Sequence, residues 1–243
     1  MILPKSEDAL HKAQLFRVLS VILDDIYLSS NLYFKGGTCA AMLGFLDRFS
    51  IDLDFDLKKG IDKERVHKKL SSVFKRVHMQ IKEKSKNTLF YLLKYDSSTM
   101  TRNTLKLSIF DSIVKSNVYT QIYLPEIDRY GICQTPETMF ANKLVAVIDR
   151  YNKHESIAGR DIYDIHHFFI RGMKYNHNVI EERTGKKTIF YLKELADFIE
   201  NKVTDRIITQ DLNFLLPQEK FQLVRKVLKK ETVMFLNDEI RRI

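Results

Sequence analysis

The sequence predicts an α+β protein, a mixed sheet flanked by helices followed by a helical lobe. Three observations carry this reading. Residues 50–57 alternate, with Ile51, Leu53, Phe55 and Leu57 against Ser50, Asp52, Asp54 and Asp56, as in a half-buried strand with its polar positions on one face. Other β-like stretches lie before about residue 130 and helical periodicity dominates after it, which places a first lobe at 1–130 and a second at 131–243. The 243 residues are 44% hydrophobic and 11% aromatic with only 8 Gly and 4 Pro, which excludes a disordered chain.

In chain order, Leu10, Ala13, Leu15, Val18, Leu19, Ile22 and Ile26 recur at helical spacing and predict one opening helix over 7–30. An extended Leu32-Tyr33-Phe34 leads to Gly36-Gly37 and a short helix, Thr38 to Leu46. After the alternating strand, Val66, Leu70, Val73, Phe74 and Val77 form the apolar stripe of an amphipathic helix. Met79–Lys84, Thr88–Tyr95 and Leu105–Phe110 read as strands, joined by polar segments such as Asp96-Ser97-Ser98-Thr99, and Asn117–Leu124 as a fourth. Thr135-Pro136-Glu137 has the capping hydroxyl, first-position proline and first-turn acid of a helix start, and that helix runs to about Tyr151. Helices are expected over Asp161–Arg171, Thr188–Asn201 and Pro217–Asn237.

No apolar run approaches the roughly 18 residues of a membrane span. The opening Met1–Asp8 has no charged-then-apolar signal pattern, so the cytoplasm is the expected location. Two cysteines, Cys39 and Cys133, make neither a disulfide framework nor a metal site on their own. The net charge of +9 is concentrated: residues 57–86, ending at Lys86, hold eleven Lys/Arg against three acids. That block suits a polyanion, and Lys68, Lys69, Lys75 and Arg76 are its candidate nucleic-acid contacts, against the alternative of a solvated helix face.

The chemistry centres on Lys35-Gly36-Gly37-Thr38 and Arg48-Phe49-Ser50-Ile51-Asp52-Leu53-Asp54-Phe55. Asp52 and Asp54 project from one face of a strand, and two acids so close repel unless a hard cation such as Mg²⁺ neutralises them. Paired glycines leave backbone N–H groups open to a phosphate, and the following helix adds its N-terminal dipole. A phosphate grip beside a metal-binding acid pair is what attack on a nucleotide's phosphorus requires. Either motif alone is usually a turn or a solvated acid pair; their joint occurrence on these element types carries the inference.

These two segments resemble the AbiEii/AbiGii toxin family, nucleotidyltransferases of the DNA polymerase beta superfamily, many of them toxic partners in type IV toxin–antitoxin systems. Lys143-Leu144-Val145-Ala146 and Arg160-Asp161-Ile162-Tyr163-Asp164 support the resemblance, which spans roughly residues 33–170. It implies that Gly36, Gly37 and Ser50 hold the triphosphate and that Asp52 and Asp54 hold the catalytic Mg²⁺; Thr38 and Arg48 are further nucleotide-binding candidates, with Arg48 either helping or pairing with a local acid. It also implies that Lys143 contacts the phosphates and that Asp161, Asp164 or both complete the site. On its helix Lys143 shares a stripe with Met139 and Arg150, its ammonium placed to reach a phosphate.

The resemblance makes the expected reaction transfer of an NMP from an NTP to an acceptor hydroxyl, with the 3′ end of tRNA the favoured acceptor and an antitoxin a possible partner. Two rivals stand beside it: nucleotidylation of a protein, and a catalytically silent nucleotide-binding module. The second draws on one departure. Where superfamily members often carry a third acid on a later strand, Ser108 stands here, with Asp111 on the opposite side of a regular strand. Either Asp111 reaches in through a bulge, or Asp161/Asp164 substitutes, or catalysis is weakened. His166-His167 and Cys39 read as packing residues, and so do Phe90, Tyr91 and Tyr95.

Overall fold

The alternating run at 50–57 becomes strand β2, Asp52–Leu57, at the centre of the first compact unit. Leu53 and Phe55 are fully buried on one face, while Asp52 and Asp54 stand half-buried on the other. In this computed structural model of the chain, residues 1–85, 88–96 and 102–243 are described; Lys86 of the basic block and Ser97–Thr99 of the predicted connection lie outside them.

The first unit comprises residues 1–113 and 118–135. Its strands are β1 (Leu32–Lys35), β2, β3 (Gln80–Lys84), β4 (Leu89–Lys94), β5 (Thr104–Phe110), β6 (Tyr119–Leu124) and β7 (Arg129–Gln134), in the spatial order β3-β4-β5-β2-β1-β7-β6. β2 pairs with β1 antiparallel and with β5 parallel, and β1 pairs with β7 parallel, so the sheet is mixed as expected. The register sets Asp54 opposite Lys35 on one side and opposite Ser108 on the other.

The predicted opening helix is two helices, α1 (Ala9–Asp24) and α2 (Ile26–Asn31). Asp25 breaks the run: its backbone is extended and its side chain accepts the Leu28 N–H, capping α2. Helix α3 (Gly36–Met42) begins two residues before the predicted start, and α4 (Lys63–Arg76) buries Val66, Leu70, Val73 and Phe74 as its stripe requires. Strand β7 falls where the sequence texture turns helical and has no clean alternation. Tyr91 and Tyr95 are core residues as read, and burial pushes both phenols up to about 12.

The second unit, residues 114–117 and 136–243, is helical among its described residues: α5 (Pro136–His154), α6 (Gly159–Ile170), α7 (His177–Thr184), α8 (Thr188–Lys202), α9 (Asp205–Leu212) and α10 (Gln218–Arg242). Phe140, Leu144, Ile162, Ile165, Phe168, Leu192, Leu195 and Ile199 build its core. Among the described residues no helix is long and apolar enough to cross a membrane.

Candidate active site

Gly36, the first residue of α3 and directly after β1, has a φ of +79°, a conformation that a side chain strains. It also faces Asp54 directly, since a Cβ at Gly36 would lie 2.7 Å from Asp54 Oδ2. Gly37 is as tightly placed: a Cβ there would meet Arg48 at 2.8 Å and Ser50 Oγ at 2.9 Å. Both glycines are therefore required for close approach, and the backbone lies bare against the very side chains the sequence singles out. Thr38 Oγ1 hydrogen-bonds Ser50 Oγ at 2.9 Å and the Asp52 carbonyl oxygen at 2.5 Å, tying the first turn of α3 to the start of β2. Arg48 is buried, and one of its guanidinium nitrogens donates to the Phe49 carbonyl at 2.9 Å. Gly36, Gly37, Thr38, Arg48, Ser50, Asp52 and Asp54 thus converge where β1 ends and β2 begins, in the middle of the sheet.

Two further side chains, neither assigned a role from the sequence, brace this region. His11 on α1 is buried, with Nε2 2.9 Å from the Ile51 carbonyl, immediately before Asp52. Burial lowers its imidazole to about 4, so it stays neutral at pH 7. Asp56, the third acid of the alternating run, is 2% exposed and accepts from Lys35 Nζ at 2.6 Å, Tyr119 Oη at 2.8 Å and Gln134 Nε2 at 3.0 Å. The Asp-x-Asp-x-Asp spacing signals its face, but its partners lie on three other strands that local pattern cannot bring together.

Ser108 lies opposite Asp54 in the β2–β5 pairing, the position aligned with a third acid from the sequence. β5 runs in unbroken register with β2, so the bulge that would swing Asp111 inward is not there. Asp111 lies just past β5 and pairs with Lys63, which holds its carboxyl below the usual carboxylate range.

In the second unit, Lys143 on α5 places Nζ 2.9 Å from Asp161 Oδ1 and 2.8 Å from Asp164 Oδ2, both on α6. Arg150 donates to the other Asp161 oxygen from Nε at 3.2 Å and Nη2 at 3.1 Å. Burial alone would raise the Asp161 carboxyl, but Lys143 and Arg150 overcome it and hold it well below the ordinary range. The ammonium that the resemblance assigns to the phosphates is engaged here by two buried carboxylates a turn apart on α6, because buried charges need partners. His166 is also buried and meets Glu231 at 2.7 Å. Cys39 is buried, which pushes its thiol up and leaves it an inert packing residue.

Of the basic-block candidates, Lys68, Lys75 and Arg76 are exposed on α4, whereas Lys69 pairs with Asp25 at 2.9 Å. As to metal, Asp52 and Asp54 offer hard carboxylate oxygens from one strand face, with bare glycine backbone against Asp54, and that donor set fits Mg²⁺. Among the described residues no group of three or more His, Cys, Asp or Glu could hold a metal by itself.

Solved structures share this fold. JHP933 from Helicobacter pylori aligns with a TM-score of 0.57 at 21% identity, covering 98% of this chain and 96% of its own. MenT4, a nucleotidyltransferase toxin from Mycobacterium tuberculosis H37Rv, aligns with a TM-score of 0.52 at 16% identity, covering 97% and 87%. No curated protein matches. The class is nucleotidyltransferase. Residues 17–227 match the family described as nucleotidyl transferase AbiEii toxin, type IV TA system, and the chain belongs to that family.

Proposed function

We propose that this nucleotidyltransferase toxin transfers an NMP from an NTP to the hydroxyl at the 3′ end of tRNA, in a Mg²⁺-dependent reaction that releases pyrophosphate. The observation that supports this best is the bare Gly36-Gly37 backbone set against Asp54, Arg48 and Ser50, with Asp52 on the same strand face. In this reading the amides of the glycine turn and the Ser50 and Thr38 hydroxyls hold the triphosphate, and Arg48 braces the turn from beneath. Asp52 and Asp54 hold Mg²⁺, which supplies charge neutralisation at the phosphates and lowers the barrier to deprotonating the acceptor hydroxyl. Two carboxylates suffice because Mg²⁺ ordinarily completes its shell with substrate phosphates and water. Lys143 would contribute positive charge to the phosphates, as the family resemblance implies, with Asp161 and Asp164 fixing its position. The solvent-facing Lys68, Lys75 and Arg76 supply attraction for the RNA backbone, Lys69 being partly committed to Asp25. An antitoxin is the protein partner that the family suggests, and the cytoplasm is the compartment where tRNA is met.

Total tRNA, Mg²⁺ and each α-labelled NTP in turn, with Asp54→Ala alongside, test this reading. Label in RNA that disappears in the variant supports it and identifies the nucleotide. Label in protein instead of RNA replaces the acceptor. Sound NTP binding without transfer to either replaces the enzyme with a silent module, the reading that Ser108 beside Asp54 favours.

A further inference from the structure

Lys35 lies opposite Asp54 in the β1–β2 register, and directly opposed residues have Cβ atoms about 5 Å apart. Opposite charges so placed would ordinarily pair. Lys35 reaches along the diagonal instead, placing Nζ 2.6 Å from Asp56 Oδ1 and 4.1 Å from the centre of the Phe110 ring. The reason is visible in Asp56. Its carboxylate is buried, so its charge demands a cation more strongly than a half-buried one does. Tyr119 and Gln134 both donate to Oδ2, which turns Oδ1 toward the lysine, and the ring face of Phe110 gives the ammonium a second attraction.

We propose that Asp56 is a positioning residue for the acid pair: by holding Lys35, it keeps that ammonium from adding its charge beside Asp54, where a divalent cation would bind. A lysine salt-bridged to Asp54 would compete with the metal for the same oxygens and add positive charge where the cation must sit. Tyr119 and Gln134 belong to the same device, since they fix the carboxylate that does the holding. This inference rests on the reading of Asp52 and Asp54 as the metal-binding pair.

The test is Mn²⁺ binding to the full chain without nucleotide, followed by the electron paramagnetic resonance signal of unbound Mn²⁺. Asp56→Asn, Lys35→Met, the double variant, Tyr119→Phe and Asp54→Ala are compared with the unaltered protein. Asp56→Asn should weaken Mn²⁺ about tenfold, the effect expected of a competing charge a few ångströms away. Removing the lysine as well should restore affinity to within about twofold, because the competitor is gone. In the transfer assay the same variant should raise the Mg²⁺ concentration for half-maximal rate while leaving kcat at saturating Mg²⁺ little changed. Should Asp56→Asn fail to fold, Tyr119→Phe should still weaken Mn²⁺ about two- to threefold by loosening the carboxylate. Unchanged Mn²⁺ affinity in Asp56→Asn, or a double variant as weak as the single, overturns the proposal, the latter by showing general damage to the strand. Binding in the unaltered protein that Asp54→Ala does not abolish is a different failure, because it removes the acid pair as the metal site and this inference with it.

Discussion

Two pairs of aspartates, one in each unit, use the same residue type in opposite ways. Asp52 and Asp54 are two apart on a strand, half-buried, with glycine backbone pressed against one of them. Asp161 and Asp164 are three apart on a helix, at most 1% exposed, and clasped by Lys143, with Arg150 on Asp161 as well. The strand pair keeps an accessible face of oxygen donors, suited to a cation that arrives with substrate. The helix pair carries its cations built in, so its first task is to hold α5 to α6 and fix one lysine. Spacing alone does not separate these roles; burial and the residues opposite do.

The largest effect should come from the strand pair. Asp54→Ala should lower the transfer rate at least about a hundredfold, since losing a metal ligand removes several kcal/mol of transition-state stabilisation. Its urea-unfolding midpoint should fall less than that of Lys143→Met, as the acid removed is only half-buried. Lys143→Met should do more to the fold. Stripping the cation from two buried carboxylates should cost about 3 kcal/mol, read as a lower urea midpoint at unchanged slope. Equal unfolding midpoints for these two variants would erase the contrast.

Acid sharpens the comparison. His11 is held at about 4, below its ordinary value, so the unfolded chain binds its proton first as pH falls. Stability should therefore decline from about pH 6.5 to about pH 4 through His11. The Asp161 carboxyl is depressed, so its contribution is complete above the unfolded carboxylate range and is lost only as pH falls below about 4. Urea midpoints across pH 3–8 check both, and His11→Asn should flatten the upper window alone. The smallest effect should come from the α4 face: reversing Lys68, Lys75 and Arg76 should weaken RNA binding and reduce its salt slope by roughly 0.7 for each phosphate no longer neutralised. Binding measured across a salt series decides it, and Lys69→Glu, a residue already paired with Asp25, should add less.

What the sequence made legible was whatever is local. The alternation at 50–57 located β2 and the face of its acids, and the stripe of α4 was correct residue by residue. The glycine turn and Arg48-Phe49-Ser50 were recognisable as neighbours of the acid pair because motif spacing fixes them within one strand–helix–strand passage. The break at Asp25 was hidden because apolar periodicity continues across it, while one side-chain cap reverses the backbone. β7 was hidden because a strand paired on both sides and packed at Gly131, Cys133 and Gln134 shows little alternation. The grip of Asp161 and Asp164 on Lys143, and of Asp56 on Lys35, joins residues 18 to 21 positions apart on different elements, beyond any local pattern.

The most direct test of the division between the two acid pairs is thermal unfolding with and without millimolar Mg²⁺ for the unaltered protein, Asp54→Ala and Lys143→Met. A ligand that binds only the folded state raises the melting temperature by mass action. Mg²⁺ should raise it for the unaltered protein and, from a lower starting point, for Lys143→Met, but not for Asp54→Ala. A Mg²⁺ shift that survives Asp54→Ala and vanishes in Lys143→Met would contradict the account, because the cation would then depend on the buried pair.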